Sequence, residues 1–562
     1  MTRRPLNVRR LAGYSLLAIA TGVLLARWQW DLLRGYARAP SLELLAMQAK
    51  APSTDVIGLI RFTYDDLGSL NTDALQTHAT PWKVVSTALL QHRDAEELTL
   101  ERLNALLREF GFVVPDTIAN WRGNVPPEPF RRPIGILTSQ LRRSVPPIEV
   151  EAANIGCAAC HAGVTYDADG NATRDVWLGL PNTSLNLEAF TSDVYESLKA
   201  ALPDRDRLIA GIRTLYPQVS EREVATIEGV LLPRIDERLQ ELEVTLGRAI
   251  PYSNGFPGIT NGVGALKWTM GLLRGDATER EVSFTSIPDL GGTLLRTSLL
   301  YDGTYGVPGM PRFARTELAG VTEGHARGLA EIVTFFTVPS MGTTPAIAEQ
   351  HIPQAVQILE FLSAYEPPPF PGPIDSARAA RGREIYRLEC AQCHGEYSAG
   401  MQSVRLVSFP NRHVPQAEMN TDSARWQPDS SLIPVLRKTE FGKHIDAAST
   451  GGYVATPLTA LWATAPYLHN GSVPTLWHLM HPNLRPDRFY VGGHRLNFET
   501  VGIDGILDAD GVYRYREGYE PWSTPALYDA TRPGLSNFGH EREFGALTEE
   551  EKRALLEYLK LL

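Results

Sequence analysis

Ile352, Val356, Leu359 and Leu362 stand three or four residues apart, the period of a helix that buries one face, and this spacing predicts a helix ending at Tyr365. The segment Glu366-Pro367-Pro368-Pro369-Phe370-Pro371-Gly372-Pro373 comes next. Its five prolines fix φ and remove backbone donors, so an extended linker and a domain boundary are expected there. A second helix is predicted from about Ser376 into Cys390. Thr548 followed by Glu551 has the form of a capping box, and Leu555, Leu556 and Leu559 give the helix behind it one apolar face. Residues 220–248 also read as helix, which Pro233 should kink or split. The stretches 251–320 and 402–545 are rich in Gly, Pro, Asn and Thr and read as ordered coil. Few segments show the alternation of a strand. The pattern therefore predicts a mainly α fold with extensive ordered loops.

The N-terminus has a different logic. Arg3, Arg4, Arg9 and Arg10 precede an uncharged run from Leu11 to Ala26, closed by Arg27, Trp28 and Trp30. Basic flank, apolar run and aromatic edge are the parts of a signal anchor. At 1.5 Å per residue the run spans roughly 24 Å, and Trp28, Trp30, Leu32 and Leu33 extend it into the interface. Residues 1–35 are expected to be a membrane helix, with the remainder in the periplasm. A cleaved export signal is the alternative, with a small-x-small site at Ala18-Ile19-Ala20. The proline boundary divides the rest of the chain into 36–370 and 371–562.

With 562 residues the chain can bury a large core, and its net charge of −10 lacks the basic block of a nucleic-acid binder. Only four cysteines occur, in Cys157-Ala158-Ala159-Cys160-His161 and Cys390-Ala391-Gln392-Cys393-His394. One C-x-x-C could be a redox dithiol, and two could form a zinc site. Neither requires the following histidine. With 13 histidines in 562 residues, chance would place one after both pairs roughly once in 2000 sequences. C-x-x-C-H is the attachment sequence of a c-type haem: two thiols form thioethers and the histidine ligates iron from the proximal side. Two covalently bound haem c groups are expected, held by Cys157, Cys160 and His161 and by Cys390, Cys393 and His394. Their motifs lie 233 residues apart. That is more protein per haem than electron transfer requires, which favours an enzyme in which one haem reacts and the other relays or stores electrons.

These motifs, together with Ala463-Thr464-Ala465-Pro466-Tyr467-Leu468-His469-Asn470-Gly471-Ser472-Val473-Pro474 and Asn537-Phe538-Gly539-His540, resemble the dihaem cytochrome c peroxidase superfamily, and more closely its bacterial rubber oxygenase branch. The resemblance implies two cytochrome c-like haem domains. The haem of His161 would be the reactive one, with an exchangeable distal position. The haem of His394 would take His540 as its distal ligand, with His469 the competing candidate. By family position Phe284 would line the reactive pocket and Trp268 would lie between the haems. Trp177, 16 residues after His161, is a further pocket candidate. One departure is the anchor, because rubber oxygenase is secreted.

The segment Val282-Ser283-Phe284-Thr285-Ser286-Ile287 contains no carboxylate or histidine, which favours dioxygen binding over peroxide cleavage unless Glu281 or Asp289 reaches the pocket. The expected function is a haem-dependent oxidoreductase, dioxygenase-like or peroxidase-like. It would act on dioxygen or peroxide and an organic substrate, with an exported redox partner and no nucleic acid. The alternative is a membrane-anchored electron carrier in which both irons are six-coordinate.

Overall fold

The computed structural model describes residues 37–38, 41–69, 80–93, 97–273, 283–398, 400, 404–427 and 429–562. The expected anchor over 1–35 and Glu281 lie outside them. Among the described residues no helix is long and apolar enough to cross a membrane.

The strongly periodic segments form the expected helices. Ile352–Ser363 buries Ile352, Ala355, Ile358, Leu359, Phe361 and Leu362. Ser376–Glu389 begins at Asp375, whose side chain accepts from the Arg378 N–H. Glu549–Leu559 begins at Thr548 with both halves of the capping box formed to Glu551. Around Pro233 the chain does break. Helix Glu221–Thr226 passes through a π-turn, Ile227–Leu231, before helix Leu232–Thr245, whose first turn holds the proline. Proline is tolerated there because first-turn N–H groups have no intrahelical partner.

The expectation of a mainly α fold is overturned. Twenty-two strands assemble into eight small sheets among the described residues. The longest pair is the antiparallel hairpin Ile136–Arg143 with Ile148–Ile155, in register from Ile136 opposite Ile155 to Arg143 opposite Ile148. A second hairpin, Ala162–Tyr166 with Ala172–Leu178, directly follows the first cysteine motif. Most other strands are two to four residues long and pair over great sequence separation. Tyr305–Gly306, for instance, pairs with both Ser298–Leu299 and Asp446–Ala447. Runs that short show no period, so the regions read as coil are held together by ladders the pattern could not display.

Two apolar cores result. The smaller gathers helices Trp82–His92, Leu187–Ala201 and Arg205–Leu215 against the long hairpin. The larger runs from Met47 to Leu562 and draws on both sides of the proline run. Two helix crossings in it are unusually close. A β-carbon on Gly58 would lie 1.8 Å from the Gln357 carbonyl oxygen, and one on Gly382 would lie 1.9 Å from that of Ala554. Glycine alone permits either approach.

Candidate functional site

The two C-x-x-C-H motifs fold alike. Cys157–Cys160 forms one helical turn, and so does Ala391–His394. In each, the histidine N–H donates to the carbonyl of the first cysteine at 2.9 Å. This turn brings both thiols to one side and sends the imidazole onward. Burial pushes the thiols of Cys157 up to about 11 and of Cys160 and Cys390 up to about 12. A working dithiol needs the opposite shift, because the thiolate is the nucleophile. The pairs do not converge on one centre either: among the described residues no group of three or more His, Cys, Asp or Glu gathers as a metal site. The zinc reading loses its geometry, and burial disfavours the thiolate on which the dithiol reading depends.

The histidine of each motif is oriented by a backbone carbonyl. The Nδ1 of His161 lies 3.1 Å from the Pro288 oxygen, and the Nδ1 of His394 lies 2.8 Å from the Thr456 oxygen. An Nδ1–H donated to a carbonyl leaves Nε2 with its lone pair, the tautomer that binds a metal. Burial lowers the proton affinity of both rings, His161 to about 4. Each ring therefore stays neutral at physiological pH, the form in which an imidazole can bind a metal.

His540 sits opposite His394. Their ring centres are 6.1 Å apart and their planes 26° apart. Two nitrogen–metal bonds of about 2 Å, with the reach from each ring centre to its nitrogen, account for a separation of roughly 6 Å. The Nδ1 of His540 is buried without a protein partner. Burial and the neighbouring His394 and Arg485 hold the ring neutral, with its proton affinity down to about 3. The residues present thus fit an iron held between two imidazoles, with Cys390 and Cys393 beside it.

Arg485 builds the loop that presents His540. Its nearly buried guanidinium donates to the carbonyls of Leu479 and Gly539 at 2.8 Å and to that of Asn537, and pairs with Glu541 at 2.9 Å. Glu541 in turn accepts from the Gly539 N–H at 2.7 Å. His540 itself takes a left-handed backbone, φ 65°, and the Phe544 ring stacks near it with centres 6.0 Å apart.

The competing His469 is occupied elsewhere. It lies 3.2 Å from the Tyr453 hydroxyl and 3.5 Å from that of Thr421, with its carbonyl accepting from the Ser286 N–H at 2.7 Å. Among the described residues, no second imidazole ring stands opposite His161 as His540 stands opposite His394.

The three aromatics singled out by position lie in different settings. Phe284 is buried against Phe256, with ring centres 5.8 Å apart, on the segment that leads to Pro288. Trp268 is half-buried at the end of helix Gly262–Thr269, edge-on to Tyr252 at 6.1 Å. Trp177 pairs across the hairpin with Gly163, and its indole N–H donates to the Glu366 carbonyl at 3.1 Å. It thereby fastens the start of the proline run to the strand behind the first motif.

Pro288, Thr456 and Arg485 escape a reading of the sequence. Two of them act through backbone oxygens, which carry no sequence signal, and an isolated arginine resembles a surface charge.

A RoxA-like, cytochrome c-like family matches residues 452–490, the segment that contains the Thr456 carbonyl and Arg485. That segment is similar to a cytochrome c-like domain, which implies haem c. The chain is also 27% identical over 232 residues to the uncharacterized protein y4iM of Sinorhizobium fredii, covering 36% of this chain and 52% of that protein. It is 26% identical over 478 residues to the uncharacterized protein y4iJ of the same organism, covering 72% and 76%. The chain thus spans about half the length of one relative and three quarters of the other.

Proposed function

We propose that the chain is a dihaem c-type cytochrome with oxidoreductase activity, in which the site of His161 binds dioxygen or peroxide and the site of His394 and His540 relays or stores electrons. The observation behind this reading is the asymmetry of the two motifs. They share one local fold and one mode of proximal orientation, yet only His394 is faced by a second imidazole among the described residues. An iron with both axial positions filled transfers electrons, whereas one with an open position can bind a small ligand.

The chain's own residues divide the work. Pro288 and Thr456 hold their imidazoles in the ligating tautomer. Arg485 and Glu541 fix the loop of His540. Phe256 packs on Phe284 in the segment ahead of Pro288. Haem attachment occurs outside the cytoplasm, so this reading puts the protein in the bacterial envelope, tethered by residues 1–35, with an exported redox partner and an organic substrate.

Optical and EPR spectra of the purified protein test this. The expected result is one high-spin and one low-spin ferric haem, with peroxide perturbing only the former, and with dioxygen perturbing only that haem once a one-electron reductant has made it ferrous. Two low-spin signals, unresponsive to either, would make the protein an electron carrier instead. Replacing Cys157 and Cys160 by alanine should remove the high-spin haem, and replacing Cys390 and Cys393 the low-spin one.

A further inference from the structure

The two histidine loops are joined by one half-buried carboxyl group. Asp289 directly follows Pro288, whose carbonyl orients His161. One of its oxygens accepts from the Thr459 hydroxyl and, at 2.8 Å, from the Gly291 N–H. The other accepts from the Tyr365 hydroxyl at 2.7 Å. Thr459 lies three residues beyond Thr456, whose carbonyl orients His394. A continuous run of bonds therefore passes from His161 through Pro288, Asp289 and Thr459 to Thr456 and His394. The fit is close, because a β-carbon on Gly291 would fall 2.5 Å from the Thr459 hydroxyl and 2.8 Å from the Asp289 carboxylate.

We propose that Asp289 couples the two sites, tying the loop of one proximal histidine to that of the other and taking up one solvent proton when an electron enters the haem pair. This rests on the dihaem reading above. The balance is simple. A one-electron reductant supplies the electron, water supplies the proton, the carboxylate becomes a carboxylic acid, and the charge of the region is unchanged. The groups around Asp289 leave that role to it. Tyr365 and Tyr397 are phenols whose ionisation burial pushes far up, and Thr459 does not titrate. His161 and His394 are held neutral. Burial raises the Asp289 carboxyl to about 7, against the pull of its three hydrogen bonds. A route to solvent exists as well. Tyr365 and Thr459 line a surface cleft with Gly291, Leu362, Pro367 and Arg405, and Arg405 is paired to Glu366 at 3.3 Å.

An added electron raises the proton affinity of a nearby carboxylate, so the reduction potential should fall as pH rises. The experiment is a spectroelectrochemical titration of the purified holoprotein from about pH 5.5 to 9, after haem counting by mass and pyridine haemochrome. In the wild type the reduction equilibrium of at least one haem should change by up to tenfold per pH unit, about 59 mV for a one-electron couple. In Asp289→Asn that slope should flatten. In Tyr365→Phe, which keeps the carboxyl but removes a donor that favours its ionised form, the sloping region should move to higher pH. A pH-independent wild type, or a slope that survives in Asp289→Asn, overturns the proposal. If Asp289→Asn does not fold, a Tyr365→Phe slope unmoved from the wild type overturns it instead. Fewer than two covalent haems overturns the dihaem reading and this inference with it, and the haem count separates that failure from the others.

Discussion

The imidazoles of His394 and His540 face each other across 6.1 Å although 146 residues separate them in the chain. Two neutral rings held at that distance, on elements so remote, fit the spacing that a pair of axial ligands would need. His540→Ala should therefore convert the low-spin haem to high-spin, visible in EPR. His540→Met should keep it low-spin and raise its potential, because thioether ligation favours the reduced iron. If His469→Ala changes the spin state and His540→Ala does not, the assignment is wrong.

Arg485 is predicted to be a positioning residue for His540. Removing its guanidinium by Arg485→Ala takes a donor from four carbonyls, those of His478, Leu479, Asn537 and Gly539, and a partner from the part-exposed Glu541, and should destabilise the protein by about 1–3 kcal/mol. Arg485→Lys preserves the charge but not the planar fork. The expected signature in that variant is a mixture of spin states at the second haem with the first unchanged. A merely structural role would leave the spectra of the folded fraction intact.

Gly382→Val should loosen the terminal helix. The β-carbon alone would meet the Ala554 carbonyl at 1.9 Å, and backbone cannot yield as a side-chain tip can. Overpacking of this kind costs about 1–3 kcal/mol. Denaturant unfolding should show the loss, and hydrogen exchange should place it in Glu549–Leu559 and its partner helix Ser376–Glu389.

Acid should weaken the fold through buried histidines. His469, His478 and His494 are each lowered to about 4 by burial. A histidine depressed in the folded state binds more protons when unfolded. The stability it lends is thus complete above the unfolded value near 6.5 and is lost as pH falls towards about 4. His494 is the clearest probe, being fully buried with neither ring nitrogen hydrogen-bonded. His494→Met should remove about 3 kcal/mol of the loss between pH 7.5 and 4.5, read from unfolding curves at the two pH values. Equal acid sensitivity in the variant would show that other groups carry the effect.

The sequence is legible where one element repeats a period long enough to count. Ile352 to Leu362 and the Thr548–Glu551 box need no tertiary context, and the C-x-x-C-H pairs announce their chemistry through a histidine that the dithiol and zinc alternatives do not need. The strand Ile148–Ile155 also carries a local signal, since Ile148-Glu149-Val150-Glu151 alternates inward and outward, but a mainly α expectation passes over it. The remaining sheets carry none. Tyr305–Gly306 becomes a strand only because Asp446–Ala447 arrives beside it, and two residues have no measurable period. Within the candidate site, Asp289 is visible as an acid a few residues after Phe284. Its bonds to Tyr365 and Thr459 depend on segments 76 and 170 residues away.

Strands from before and after the proline run share ladders, as do Thr316–Glu317 with Ser408 and Phe409. The spacing between the two histidine loops is consequently a dimension of one scaffold rather than the outcome of an encounter between mobile halves. Any exchange between the sites is a first-order event. Its rate should be the same in a dilute solution as in a crowded envelope, and salt, which governs how separate redox proteins find one another, should leave it untouched.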